Sequence, residues 1–246
     1  MNQKRPLIAV LTGAGISTDS GIPDYRGPQG LWRKDPSAEE LVTIGPYRDD
    51  STVRERAWRM RLETAEQAAE PNAGHRALVD LERSGLPLRV LTQNIDGLHQ
   101  RAGLTARKVL ELHGNVRETQ CLSCRAVGSM PQALARVEAG EPDPDCRECG
   151  GILKPRIVMF GENLDQEVLG QADAIAKACD IFVAVGTSLQ VYPVAALPQI
   201  AVEGGARLIV MNGEPTPFDE AAAEVIRGPI SRALPELVRR LVTEGA

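Results

Sequence analysis

Aromatic residues are scarce in this chain: three Phe, three Tyr and two Trp among 246 residues. A protein that stacks the bases of a single strand on aromatic platforms needs more of them, which weighs against that class. Positive charge is not in excess either. The formal net charge is −5, so a polyanion meets no general attraction and a basic peptide is mildly favoured. Long apolar runs are missing. After the basic start MNQKRP only Leu7 to Leu11 follow before Thr12 and Gly13, too few for a signal peptide, and no stretch approaches a membrane span. The expected location is the cytoplasm, with neither membrane nor nucleic acid as a partner. There is no internal repeat or low-complexity tract. What is present is 43% hydrophobic and 25% charged, an ordinary globular balance, at a length that suits one large domain with an inserted module.

The chain is organised around residues 7–27, LIAVLTGAGISTDSGIPDYRG. Leu7 to Thr12 form a nearly unbroken apolar run, the pattern of a strand buried on both faces of a parallel sheet. Gly13, Ala14 and Gly15 then make a small-residue turn, and Ser17, Thr18 and Asp19 are expected to cap a following helix. Such a turn lets backbone N–H groups approach a pyrophosphate. It departs from the usual dinucleotide fingerprint, because Thr18 replaces the third glycine and no second strand follows with its acidic residue. A plain strand-to-helix turn is therefore the rival reading. Asp24, Tyr25 and Arg26 lie in a polar segment able to fold over whatever the turn binds, or to serve as a surface loop.

Residues 28–70 are charged and helical in spacing, and Pro71 ends them. Asn72 is expected to cap a helix from Ala73 to Ser84, ahead of strands at Leu88 to Thr92 and Lys108 to Leu112. Cysteine pairs and prolines interrupt the pattern from Thr119 to Ile152. Further strands of the main sheet are expected at 156–160, 180–185, 207–211 and 223–226, with helices at 165–178, 193–203 and 230–243. The expected fold class is α/β: a Rossmann-like, doubly wound parallel sheet built from residues 1–30, 73–118 and 154–246. A helical insertion spans 31–72 and a smaller zinc-binding module spans 119–153. Several strands end in polar or small residues, at Gly161-Glu162, Gly186-Thr187-Ser188 and Asn212-Gly213-Glu214, where open parallel sheets bind ligands.

Two C-x2-C pairs, Cys121/Cys124 and Cys146/Cys149, stand 21 residues apart. Four thiolates at this spacing suit a tetrahedral Zn²⁺ site, with two disulfides as the rival. Such a zinc has no open position and is structural. The surrounding Glu and Asp residues argue against a nucleic-acid-binding ribbon. Cys179 reads as a buried thiol. Thr92-Gln93-Asn94-Ile95-Asp96 follows a strand, where its amides and carboxylate can hold a ligand or form a helix-capping turn. His113 ends a strand before Gly114 and carries an imidazole suited to proton transfer near neutral pH. His75 and His99 read as structural.

Gly13-Ala14-Gly15-Ile16-Ser17, Gly21-Ile22-Pro23-Asp24-Tyr25-Arg26, Thr92-Gln93-Asn94-Ile95-Asp96, Leu112-His113-Gly114, the cysteine pairs, Phe160-Gly161-Glu162 and Gly186-Thr187-Ser188 occur in the order seen in sirtuins. The resemblance covers nearly the whole chain. It implies an NAD-dependent protein-lysine deacetylase that consumes NAD⁺ and releases nicotinamide, lysine and O-acetyl-ADP-ribose. By resemblance, His113 is the general base, while Asn94 and Asp96, with Ile95 between them, hold the nicotinamide and its ribose beside Gln93. Gly13, Ala14, Gly15 and Thr18 meet the phosphates, and Asp24, Tyr25 and Arg26 close over the cofactor. Gly186, Thr187 and Ser188 line its path, Asn212, Gly213 and Glu214 reach the adenosine ribose, and Ile230 lies near the adenine. The backbone of Val158 to Glu162, with Phe160 and Gly161, pairs with the acyl-lysine peptide.

Sirtuins that prefer succinyl or malonyl groups carry a Tyr-x-x-Arg pair in the helical insertion. The nearest match here, Trp58-Arg59-Met60-Arg61, has indole in place of phenol, which points to acetyl over succinyl groups. A desuccinylase, a mono-ADP-ribosyltransferase, a hydride-transferring dehydrogenase and a silent NAD-binding module are the competing readings.

Overall fold

The computed structural model describes residues 5–23, 36–66 and 69–245, so Asp24, Tyr25 and Arg26 lie outside the described residues. Strand β1 (Ile8–Thr12) is buried along its whole length. Ile8 and Val10 enter one core while Ala9 and Leu11 enter another, as the alternation of a strand with two covered faces requires. The remaining strands are β2 (Leu88–Thr92), β3 (Val109–Glu111), β4 (Gly114–Cys121), β5 (Val127–Ser129), β6 (Leu153–Ile157), β7 (Ile181–Val185), β8 (Arg207–Met211) and β9 (Glu224–Ile226). Six of them form a parallel sheet in the order β3-β2-β1-β7-β8-β9. The chain winds outward from β1 through β2 to β3 and then returns to the other side of β1, which puts the topological switch point between β1 and β7.

Helices Ala73–Arg83 and Ile230–Glu244 contribute to the core on one face, and helices Gln166–Ala178 and Leu197–Glu203 to the core on the other. Asn72 caps the first of these, its side chain accepting from Gly74 N at 2.8 Å. The expected α/β, doubly wound sheet is thus the fold observed. No helix among the described residues is long and apolar enough to cross a membrane.

A second sheet, antiparallel in the order β5-β4-β6, stands apart from the first. This corrects one expectation. The strand expected at 156–160 is instead β6 (Leu153–Ile157), which pairs with β4 and not with the main sheet, and Val158 to Phe160 follow it. Apolar periodicity marks a strand and leaves its partner open. The smaller sheet therefore spans residues 114–157, a wider range than 119–153.

The helical insertion packs on this smaller sheet. Trp58, on helix Ser51–Glu66, has no exposed surface and shares a core with Cys121, Met130, Leu134, Cys146 and Leu153. Tyr47 donates its hydroxyl to Leu153 O at 2.9 Å, and Arg54 pairs with Asp143 at 2.7 Å.

Candidate active site

The loops after β1 and β7 interlock at the switch point. Gly13 N donates to Val185 O at 3.0 Å and Gly15 N to Gly186 O at 2.9 Å. A Cβ on Gly13 would fall 2.6 Å from Gly186 O, and one on Gly15 would fall 2.7 Å from Gly186 Cα. Gly186 itself has φ 60°, a left-handed backbone that glycine adopts without strain. The missing side chains at Gly13 and Gly15 thus make room for the second loop, a reason the sequence alone does not disclose.

The turn does not lead into a capped α-helix as expected. Ala14–Ile16 and Thr18–Ser20 are short 3-10 turns without a side-chain cap. Ser17 instead donates its hydroxyl to Asp96 Oδ2 at 2.8 Å, across 79 residues of sequence. As a cap its oxygen would accept from a backbone N–H; here the hydroxyl hydrogen goes to a carboxylate, a strong acceptor that the end of β2 brings within reach. Thr18 is exposed and donates to Gly15 O at 3.0 Å.

Gln93, Asn94, Ile95 and Asp96 are all half-buried at the carboxyl end of β2. Asn94 Nδ2 donates to Gly13 O at 3.0 Å and to Ser17 Oγ at 3.2 Å, so both donors are engaged. Its Oδ1 has no partner among the described residues. Asp96 Oδ1 accepts from Leu98 N at 2.9 Å, closing a turn ahead of the short helix Leu98–Arg101. Gln93 Nε2 donates to Thr187 Oγ1 at 2.9 Å and ties the β2 and β7 loops together. Beneath them, His99 Nε2 lies 2.9 Å from Thr12 Oγ1, which donates to Thr92 Oγ1 at 2.8 Å. His75 and His99 are buried with ring centroids 5.1 Å apart, and desolvation lowers them to about 4 and about 3 respectively. They are neutral supports under the loops.

His113 follows β3, half-buried, with Nδ1 3.0 Å from Gln93 O. A carbonyl can only accept, so Nδ1 carries the proton and Nε2 keeps its lone pair. Burial pushes the imidazole below its ordinary 6.5, against the opposing pull of the Gln93 hydrogen bond. The group is an unprotonated base at neutral pH.

On the far side, Asn212, Gly213 and Glu214 follow β8, and Asn212 Nδ2 donates to Glu214 O at 2.8 Å. Gly213 and Glu214 are exposed, Thr187 is buried and Ser188 half-buried. Ile230 opens the last helix and packs with Ile16 in the core beneath the turn.

The segment after β6 passes beside His113, where Val158 N donates to His113 O at 2.9 Å. Phe160 N donates to Val42 O and Ile44 N donates to Phe160 O, both at 2.9 Å. The segment's contacts with residues 42–44 therefore take up the polar backbone of Phe160. Val158 C=O and Gly161 N–H have no partner among the described residues. The Glu162 carboxylate turns inward to Lys154, a buried residue that the sequence reading passed over. The sequence carries little signal of this, since Lys154 stands in a strand that also holds Pro155 and Arg156.

Cys121, Cys124, Cys146 and Cys149 bring their Sγ atoms within 4.8 Å of one another. Cys121 to Cys149 and Cys124 to Cys146 are each 3.6 Å, too long for disulfides. Tetrahedral bonds of about 2.3 Å to zinc imply edges of roughly 3.8 Å. The four thiols fit one structural zinc ion. Burial raises the Cys121 thiol, but the N–H groups of Cys124 and Ser123 outweigh it and bring it down, whereas the neighbouring Cys149 and Cys121 thiols push that of Cys124 up.

The model of the Sir2 family matches residues 13–193. The NAD-dependent protein deacetylase 2 of Streptomyces coelicolor is 64% identical over 96% of this chain and 98% of its own length. The NAD-dependent protein deacetylase of Sulfolobus acidocaldarius is 46% identical over 94% of this chain and 88% of its own. A solved Sir2 complex with a deacetylated p53 peptide and 3′-O-acetyl ADP ribose superposes with a TM-score of 0.84 at 37% identity, covering 98% of this chain and 94% of that one.

Proposed function

The chain belongs to the Sir2 family, and from that premise we propose that it is an NAD-dependent protein-lysine deacetylase acting on acetyl-lysine segments of proteins. The observation that carries this reading is the tautomer of His113, whose Nε2 is left as a base at the sheet edge where the Gly13, Asn94 and Gly186 loops converge. When bound, NAD⁺ would supply an electrophilic ribose carbon and the acceptor for the acetyl group, so that with one water consumed the products are lysine, nicotinamide and O-acetyl-ADP-ribose.

The chain's own residues divide the remaining work. His113 Nε2 takes a proton from a ribose hydroxyl. The free Oδ1 of Asn94 accepts from an amide donor, and Asp96, braced by Ser17, fixes the loop that includes Ile95. Backbone N–H groups at Ala14 and Thr18, with Ser188 opposite, meet the phosphates, and Gly186, whose own N–H donates to Met211 O, lines their path without a side chain. Gln93 and Thr187 hold the two loops at a constant separation, and Asn212, Gly213 and Glu214 receive the adenosine ribose above Ile230. Val158 C=O and Gly161 N–H pair with an extended peptide.

Acetyl-lysine is favoured over acidic acyl-lysines because Trp58, enclosed in the core of the cysteine module, supplies no phenol for an arginine clamp. Four unlinked thiols gathered for a metal suit a reducing compartment, and we place the protein in the cytoplasm. The test is mass spectrometry of an acetyl-lysine peptide incubated with the protein, with and without NAD⁺. Deacetylated peptide, nicotinamide and O-acetyl-ADP-ribose are expected only with NAD⁺. ADP-ribose attached to protein, without deacetylation, would replace this reading.

A further inference from the structure

Lys154 is 3% exposed, and its Nζ donates to Ile157 O at 2.6 Å and to Glu162 Oε2 at 2.7 Å. The same Glu162 oxygen accepts from Met159 N at 2.9 Å, while Glu162 N donates to Met159 O at 3.0 Å. The ladder between β4 and β6 ends at Ile157. Beyond that point the ion pair takes over, gripping the carbonyl of Ile157 and the amide of Met159 on either side of Val158. Val158 in turn bonds to the carbonyl of His113.

We propose that the Lys154–Glu162 pair is a positioning device for the peptide-binding segment, holding Val158 C=O and Gly161 N–H in register for an incoming acetyl-lysine strand. The inference rests on the deacetylase reading. A lysine this deeply buried is costly without a partner, and apolar residues would fill the same space with no less stability. A charged pair differs from them in directing hydrogen bonds. Here those bonds go to the backbone of the segment between His113 and Gly161. Glu162 therefore contributes to peptide binding through its side chain, turned away from the peptide, and not by contact.

The test compares wild type with Lys154→Met, Lys154→Arg and the double variant Lys154→Met/Glu162→Leu, which removes the pair without stranding a charge. Steady-state kinetics with an acetyl-lysine peptide and NAD⁺ are accompanied by direct titration of a fluorescent acetyl-lysine peptide. Loss of hydrogen bonds to charged groups corresponds to an increase of about tenfold in the KM and Kd for peptide. That increase is expected in Lys154→Met and in the double variant, with kcat and the KM for NAD⁺ changed less than about twofold, and largely reversed in Lys154→Arg. Should Lys154→Met fail to fold, the double variant carries the comparison.

An unchanged peptide KM and Kd in the folded double variant would overturn the proposal. So would a decline in every parameter that follows the fraction of folded protein. Absence of turnover by wild type, with peptide still bound tenfold more weakly by the variants, would overturn the deacetylase reading and leave the positioning role standing.

Discussion

The Nδ1 of His113 lies 3.0 Å from the carbonyl oxygen of Gln93, a residue 20 positions earlier at the end of the neighbouring strand. This one bond sets the tautomer and leaves Nε2 with its lone pair, as the proposed base requires. Because burial lowers the imidazole below 6.5, its proton is lost at lower pH than that of a free histidine. The midpoint of the acid limb of kcat/KM is therefore expected below pH 6.5. His113→Ala should lower kcat by about 10²- to 10⁴-fold, the usual contribution of a general base, while NAD⁺ binding measured by calorimetry persists. A limb at or above 6.5 in wild type would contradict the assignment.

The buried pair of His75 and His99 makes stability depend on pH. Their folded values, about 4 and about 3, lie below the ordinary 6.5 of the unfolded chain. The unfolded state therefore binds more protons between those limits, and stability is full above 6.5 and falls as pH drops toward 4. For His75 alone the loss is roughly 3 kcal/mol at most. Urea unfolding at pH 7.5 and pH 5 should show it. His99→Gln should reduce the difference, whereas a slope due only to carboxylates would not change.

Metal removal should disturb a core distant from the main sheet. Cys121 and Cys146 share that core with Trp58, so stripping zinc with a chelator should lower Tm and red-shift the emission of Trp58. A Trp32→Phe background isolates the signal. Readdition of Zn²⁺ should restore both. Full activity in a protein that remains folded without metal would show that the cysteines do not support the fold.

Substitutions at two glycines should act in opposite directions. On Gly15 a methyl group would meet Gly186 Cα at 2.7 Å, so Gly15→Ala should cost about 1–3 kcal/mol and weaken NAD⁺ binding by separating the loops. On Gly170, within helix Gln166–Ala178, a methyl group meets nothing within 4 Å. Gly170→Ala should stabilise the protein by about 0.5–1 kcal/mol without affecting activity. Thermal denaturation of both variants decides the matter.

Several features were legible in the chain itself because they depend on neighbours in sequence. Leu7 to Thr12 reads as a buried strand from its unbroken apolar character, and Leu88 to Thr92 is observed with the expected bounds. Asn72 announces the start of its helix, and the spacing of the four cysteines announces a tetrahedral cluster. The parallel α/β class of the sheet follows from the alternation of strands and helices, whereas its strand order is read only from the structure. Tertiary structure alone decided which distant residues meet. It paired β6 with β4, set Gly186 against Gly13 and Gly15, turned Ser17 from an expected helix cap to Asp96, and enclosed Trp58 beside Cys121. It also joined Lys154 to Glu162, a pair with no periodic signature because a strand and the loop after it are required to bring the two together. Local spacing encodes the conformation of the backbone; the partner of a buried polar group is selected by desolvation, once folding has removed the water that would otherwise serve.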